Sequence, residues 1–280
     1  MTPARTGGMA KGDRKVAASK SARESVSVRY RARVEYDGTD FNGFQVQTGG
    51  RTVQGELESA LSRLSGGSRV VVEGAGRTDT GVHARGQVIA FTYIGRLGRR
   101  ELQQALGAGL PNDIGLGPIV SVGEKFSPRY QAKHREYRYL IWNGPRSPLR
   151  ERHALGVRER LDVAAMAAAA KVFVGRHDFS AFGGVDRQPV RTLTRLSVIR
   201  RGDLITVTVV GDAFLRGMVR RIVAALLRVG HARASAKDLA DALREHRPAF
   251  HGEAAAARGL TLWRVPMGPP RKARTRQEQG

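Results

Sequence analysis

From Val28 to Tyr36 apolar and polar side chains alternate. Val28, Tyr30, Ala32, Val34 and Tyr36 share one side; Arg29, Arg31, Arg33 and Glu35 share the other. A period of two is that of a strand buried on one face. Val53, Leu57, Leu61 and Leu64 then follow helical spacing and predict a helix over 53–64. Arg69 to Glu73 and Gln87 to Tyr93 predict strands. Arg99 to Leu110 predicts a helix closed by Gly109 and Pro111, and Gly117 to Val122 a short strand. The order is strand, helix, strand, strand, helix, strand.

That order recurs. His134 to Trp142 predicts a strand with Arg135, Tyr137, Tyr139 and Ile141 on one face, and Leu161 to Val174 a helix. Leu193 to Ile199 and Leu204 to Val210 predict strands joined by a turn at Arg201-Gly202-Asp203. Helices over Phe214–Val229 and Ser235–His246 follow, the second opened by a capping box of Ser235 with Asp238. Leu260 to Val265 closes as a strand. Two β-α-β-β-α-β units in succession predict an α+β protein of two ferredoxin-like halves, with helices packed on antiparallel sheets. The halves are placed at residues 28–124 and 125–266, between tails at 1–27 and 267–280. No sequence repeat links them, so the match is one of element order alone.

Charge adds a partner to this picture. The chain has 48 Lys and Arg against 25 Asp and Glu, a net +23. Residues 1–27 carry net +4 and residues 267–280 net +3, which leaves +16 on residues 28–266. Both ends lack apolar periodicity and are expected to be flexible; deleting 1–27 is expected to spare catalysis. A folded part this basic points to a polyanionic ligand. The chain has no cysteine, which excludes disulfide scaffolds, Cys-ligated zinc, iron–sulfur clusters and a thiol nucleophile. The basic start has no apolar core of the kind a secretory signal needs, and no run approaches a membrane span. A cytoplasmic protein is expected.

One segment carries candidate chemistry. Gly74-Ala75-Gly76-Arg77-Thr78-Asp79-Thr80-Gly81-Val82-His83-Ala84-Arg85-Gly86 sets two arginines and a histidine around one carboxylate. A dinucleotide-binding turn would need glycine where Asp79 stands and a helix next, whereas a strand follows. A phosphate loop fails for want of Gly-Lys-Ser/Thr. A plain glycine-rich hairpin with a turn-forming Asp fits the loop alone. A carboxylate held ionised beside Arg77, in a protein built for a polyanion, fits the loop and the charge together.

These residues resemble a known family. Gly76-Arg77-Thr78-Asp79-x-Gly81-Val82-His83-Ala84 is similar to the catalytic motif of the tRNA pseudouridine synthases of the TruA type. Six further segments match in order. Tyr36-Asp37-Gly38-Thr39-Asp40-Phe41-x-Gly43-Phe44-Gln45-x-Gln47 resembles the family's opening segment, with Phe44 where Trp is usual. Thr52 to Glu58, Leu110-Pro111-x-Asp113-Ile114 and Arg135-Glu136-Tyr137-Arg138-Tyr139 match as well. So do Asp178 to Phe182 and Ala213-Phe214-x-x-x-Met218-Val219-Arg220. Thr80 replaces a more usual alanine, and Thr261 a common aromatic.

The resemblance implies that the chain isomerises uridine to pseudouridine at positions 38, 39 and 40 of the tRNA anticodon stem-loop, as a homodimer and with no cofactor or metal. Asp79 is implied as the catalytic carboxylate, and Tyr137 as the aromatic surface for the flipped base, its phenol near the C5 proton. Tyr139 has the same strand parity, so spacing alone does not choose between them. Arg220 is implied as the ion-pair partner of Asp79, with a solvated helix arginine beside Arg216 and Arg221 as the plainer reading. Arg77 either orients Asp79 or grips a phosphate. His83 is expected to be structural or RNA-facing; Gln45 and Gln54 suit RNA contact, with exposed glutamine on a helix as the commoner reading. The main rival is a non-catalytic RNA-binding protein on the same scaffold; a second is a hydrolase that releases free uracil.

Overall fold

The computed structural model describes residues 25–247 and 253–269. The chain runs β1 (Val26–Tyr36), α1 (Val53–Leu64), β2 (Glu73–Gly74), β3 (His83–Gly95), α2 (Arg99–Gly109), β4 (Ile114–Leu116), β5 (Val120–Ser121) and α3 (Pro128–Gln131). It continues through β6 (Arg135–Trp142), α4 (Pro148–Glu151), β7 (Leu155–Gly156), α5 (Val163–Ala170), β8 (Gly175–Asp178) and β9 (Val190–Arg201). It ends with β10 (Leu204–Gly211), α6 (Met218–Gly230), α7 (Ala236–Glu245) and β11 (Leu260–Arg264).

The fold is mixed α+β around one large, mostly antiparallel sheet. Its strand order is β4-β1-β3-β11-β6-β10-β9-β8, with β2 also on β3, β5 on β1 and β7 on β6. Among the described strands only β3–β11 and β6–β7 pair in parallel. The β3–β11 seam is short, matching His83 to Thr261 and Ala84 to Leu262.

The alternation of β1 buries Tyr30, Ala32, Val34 and Tyr36, which join Leu57 and Leu61 of α1 and Leu102 and Leu106 of α2 in the core. Beyond the seam Tyr139, Ile141, Val207 and Val209 join Met166 of α5 and Ile222 and Leu226 of α6. Each such side chain contributes roughly 1.5–3 kcal/mol of burial. Caps set the helix starts: the Thr52 side chain accepts from Gly55 N, and Ser235 forms the expected capping box with Asp238.

Several boundaries differ from the expectations. Over 69–72 the backbone finds no strand partner. Val72 N donates to Glu58 Oε1 at 2.9 Å and Val72 O accepts from Gln54 Nε2 at 3.1 Å, so side chains satisfy it and β2 is left two residues long. Of the strand expected over 117–122 only β5 forms; Pro118, which has no N–H for a ladder, separates it from β4 just upstream. The helix expected from Phe214 begins only at Met218, because Gly217 caps it at φ +69°. The helix expected over 161–174 is α5, capped by Asp162, followed by a 3-10 turn at Lys171–Phe173.

The expected tails are shorter than 1–27 and 267–280. Val26 and Ser27 pair with Gly95 and Ile94, Met267 bridges Ala132, and Gly268 N donates to Gln131 O at 2.7 Å. Residues 1–24 and 270–280 of the expected tails lie outside the described residues. Among the described residues no helix is long and apolar enough to cross a membrane.

Candidate active site

Residues 75–82 leave the sheet where one edge of β3 changes partner, from β2 at Ile89 and Ala90 to β11 at His83 and Ala84. The loop is tied along its length. Ala75 N donates to Val88 O at 2.9 Å, and Ala75 O accepts from Arg135 Nη2 at 2.7 Å. Gly76 O accepts from Gln87 Nε2 at 2.6 Å. Thr78 O accepts from Phe44 N at 3.1 Å, and the Thr78 hydroxyl bonds to the Tyr36 phenol at 2.8 Å. Val82 N donates to Asp79 O at 3.1 Å, closing a turn, and Gly81 N donates to Phe41 O at 3.2 Å.

The segment 38–44 packs backbone to backbone on this loop, and two glycines permit it. A Cβ on Gly38 would drive into the Val82 carbonyl. One on Gly43 would stand 2.7 Å from Thr78 O at a backbone φ of +91°.

Three of the four sequence-predicted site residues converge. Asp79 Oδ2 lies 3.9 Å from Arg220 Nη1, with the two side chains 30 % and 23 % exposed. A pair this long and this wet adds little stability, but it stands a cation beside the acid. Arg220 is fixed by its Nε donating to Ala255 O at 2.7 Å, which removes the reading of a free helix arginine. Tyr137 arrives from β6, buried; a Cβ on Gly76 would be 4.0 Å from its hydroxyl. Phe214 stands edge-on to the Tyr137 ring, centroids 5.1 Å apart at 82°. That packing needs Phe214 outside the helix, where Gly217 leaves it. Arg77 does not join the pair: it is exposed and, among the described residues, makes no ion pair with Asp79.

The structure also separates the two tyrosines. The Tyr139 hydroxyl donates to Ala256 O at 2.8 Å and the ring is wholly buried, so it is committed to the core. Burial pushes the Tyr137 phenol up to about 12; the negative charge of Asp79 adds to this and Arg135 opposes it. Burial likewise raises the phenols of Tyr36 and Tyr139. Unfolded phenols ionise near about 10. Between that value and the folded one the native state holds protons that the unfolded chain has lost. Stability is therefore full below about pH 10 and falls as pH rises through the folded values. Thermal midpoints measured from pH 8 to 11.5 are expected to stay level to about pH 9.5 and then fall, less steeply in Tyr137→Phe. A level profile to pH 11.5 would contradict these environments.

His83 is structural. Its Nδ1 accepts from Gly38 N at 2.9 Å and its Nε2 faces Arg258 O at 3.1 Å. Burial holds its pKa below the usual imidazole value, so the neutral ring with a proton on Nε2 satisfies both contacts. With Asp37 and His153 it offers ligand atoms within 4.8 Å of one another, the one candidate metal cluster among the described residues. The set fits a cation poorly. The Nδ1 lone pair is taken by Gly38 N–H. Asp37 is held by Thr39 N, by the Thr39 hydroxyl and by Arg152 Nε at 3.1 Å. Burial raises the Asp37 carboxyl, but these partners outweigh it and bring it down to about 2.

The expectation of exposed glutamines is corrected. Gln54 is buried, accepting from Val46 N and Gln45 Nε2 and donating to Val72 O, because it bridges three segments that lack a common strand. Gln45 is half-buried against it. Sequence reasoning passed over Arg135, Gln87 and Tyr36 as loop supports. The alternation of β1 marked Tyr36 as buried and nothing more. Arg135 shares the face of Tyr137 by parity, a basic residue on an apolar face, which was the available signal.

Known proteins resemble the chain over most of its length. The family model described as tRNA pseudouridine synthase matches residues 32–131 and 169–266. A protein of Brevibacillus brevis named tRNA pseudouridine synthase A is 42 % identical over 241 residues, 85 % of this chain and 98 % of that one. One of Pseudothermotoga lettingae with the same name is 41 % identical over 242 residues, again 85 % and 98 %. Among solved structures, an archaeal box H/ACA sRNP Nop10–Cbf5 complex aligns at 13 % identity with a TM-score of 0.34, covering 87 % of this chain and 50 % of that one. A likeness of that size carries no weight here.

Proposed function

The chain belongs to the tRNA pseudouridine synthase family and isomerises uridine to pseudouridine in tRNA; from that premise we propose that Asp79 is the carboxylate that works on the sugar–base bond. The observation that carries this reading is the convergence of Asp79, Arg220 and Tyr137 from three separate elements.

The reaction breaks N1–C1′, turns the base and joins C5 to C1′. The C5 proton leaves and N1 gains one, so nothing is gained or lost overall. Departure of the base puts positive character on the ribose, and a carboxylate at that point stabilises it. Arg220 keeps a cation beside the acid. The base must leave its stack to reach Asp79. Tyr137 and Phe214 offer it an aromatic wall, with the Tyr137 phenol near C5. Arg77, turned outward and unpaired with Asp79, suits a phosphate of the flipped nucleotide better than orientation of the acid.

The substrate position is the anticodon stem-loop, at 38, 39 and 40. Three neighbouring targets need recognition by shape and backbone, which the net +16 on residues 28–266 supplies. The strand orders β4-β1-β3-β2 and β11-β6-β10-β9 support two ferredoxin-like halves, at 28–124 and 125–266, with the site between them. The enzyme acts as a homodimer with one tRNA across both subunits, and in the cytoplasm.

The test uses tRNA labelled with tritium at uridine C5. Label release is expected from wild-type transcripts and is expected to stop when 38, 39 and 40 are all cytidine. Release that continues would move the site elsewhere in the tRNA. Free uracil among the products would make the chain a hydrolase.

A further inference from the structure

Beneath the Asp79 loop lies a small polar network inside the core. The Tyr36 phenol and the Thr78 hydroxyl are 2.8 Å apart, and both residues are buried. Gln87, fully buried, donates to Gly76 O at 2.6 Å and takes Val88 N on its Oε1 at 3.2 Å. Tyr36 otherwise sits among apolar neighbours, with the rings of Phe41 and Phe44 each 6.5 Å away. Phenylalanine would fill that space without a buried hydroxyl to satisfy. The hydroxyl has one covalently distinct target, the residue immediately before Asp79.

We propose that Tyr36 is a positioning residue for Asp79, acting through the hydroxyl of Thr78, while Gln87 holds the loop at Gly76. Thr78 is gripped twice, by Tyr36 at its side chain and by Phe44 N at its carbonyl. Its φ and ψ then fix the direction in which the Asp79 side chain leaves the loop. Without the side-chain grip the carboxylate is free to swing away from Arg220, from which it already stands 3.9 Å. Misplacement of a reacting group by about 1 Å costs up to about a hundredfold in rate. The inference rests on Asp79 being the reacting carboxylate.

Tyr36→Phe, Thr78→Val, Thr78→Ser and the double variant Tyr36→Phe/Thr78→Val test it, with steady-state kinetics on tRNA well below each melting midpoint. Tyr36→Phe and Thr78→Val are each expected to lower kcat by about 10- to 30-fold with KM for tRNA within about twofold. Thr78→Ser, which keeps the hydroxyl, is expected to stay within about threefold of wild type, and the double variant to be no worse than the poorer single one. Thr78→Val probes the same bond should Tyr36→Phe be poorly folded. A wild-type kcat in either variant overturns the proposal. So does a KM that rises as kcat falls without recovery in Thr78→Ser, the mark of a generally loosened fold. Asp79→Asn in the same assay separates the two readings. If Asp79→Asn is active the premise fails; if it is inactive beside a fully active Tyr36→Phe, only this inference fails.

Discussion

Replacing Asp79 with asparagine is expected to lower pseudouridine formation by about three orders of magnitude or more, roughly 4 kcal/mol of transition-state stabilisation. Binding of tRNA should change by less than about threefold. Asparagine keeps the size of the side chain and loses its charge. The loop should hold, because its ties run through the backbone of 75–82, Thr78 Oγ1 and the Gln87 and Arg135 side chains, not through the Asp79 carboxylate. What disappears is the anion proposed to face the ribose as the base departs, and Arg220 is left without its ion-pair partner. Filter binding and tritium release on the same preparation measure the two quantities. Product formation retained in the variant, with binding intact, would remove Asp79 as the reacting carboxylate.

Tyr137→Phe has the second largest expected effect, a loss of about a hundredfold in turnover, within the usual range for removing a proton-transfer group. The ring and its edge-on contact with Phe214 survive, so base stacking and KM should not move. The phenol itself is protonated at neutral pH, held near 12 by burial and by the charge of Asp79. A neutral phenol is a poor base. It can take the C5 proton only by passing its own proton on, and N1, which gains one in the reaction, is the group to receive it. In the variant, proton removal becomes the slow step, and a tritium isotope effect on release should grow. Unchanged turnover would leave Tyr137 as a stacking surface alone.

How far the sequence carries depends on the kind of force. The β1 alternation and the α1 spacing are local consequences of burial, and both elements appear at their expected places. The extent of β2 was not legible, since it turns on whether Gln54 and Glu58 reach over to satisfy residue 72, a contact that strand propensity does not encode. The start of α6 was misjudged because Phe214 continues the apolar period, while the left-handed Gly217 ends it and hands Phe214 to Tyr137. At the site, motif resemblance brought out Asp79, Tyr137 and Arg220. Spacing alone does not choose Tyr137 over Tyr139, as the resemblance does, because two side chains of one parity differ only in what lies above them, Gly76 in one case and Ala256 in the other. Gln54 was misread as surface because glutamine is usually solvated, and only long-range bridging keeps it inside.

The seam between β3 and β11 has a consequence for biosynthesis. Strand β11 is the last of the described strands in chain order, yet it lies fourth from the β4 edge, between two strands made far earlier. During translation the middle of the sheet therefore stays vacant until residues 260–264 have left the ribosome. The exposed flanks of β3 and β6 must wait without pairing to each other or to a neighbouring polypeptide, a period in which a nascent chain would depend on chaperones. Ribosome-stalled chains ending before residue 260 should accordingly be more protease-sensitive at both flanks than chains that extend past it.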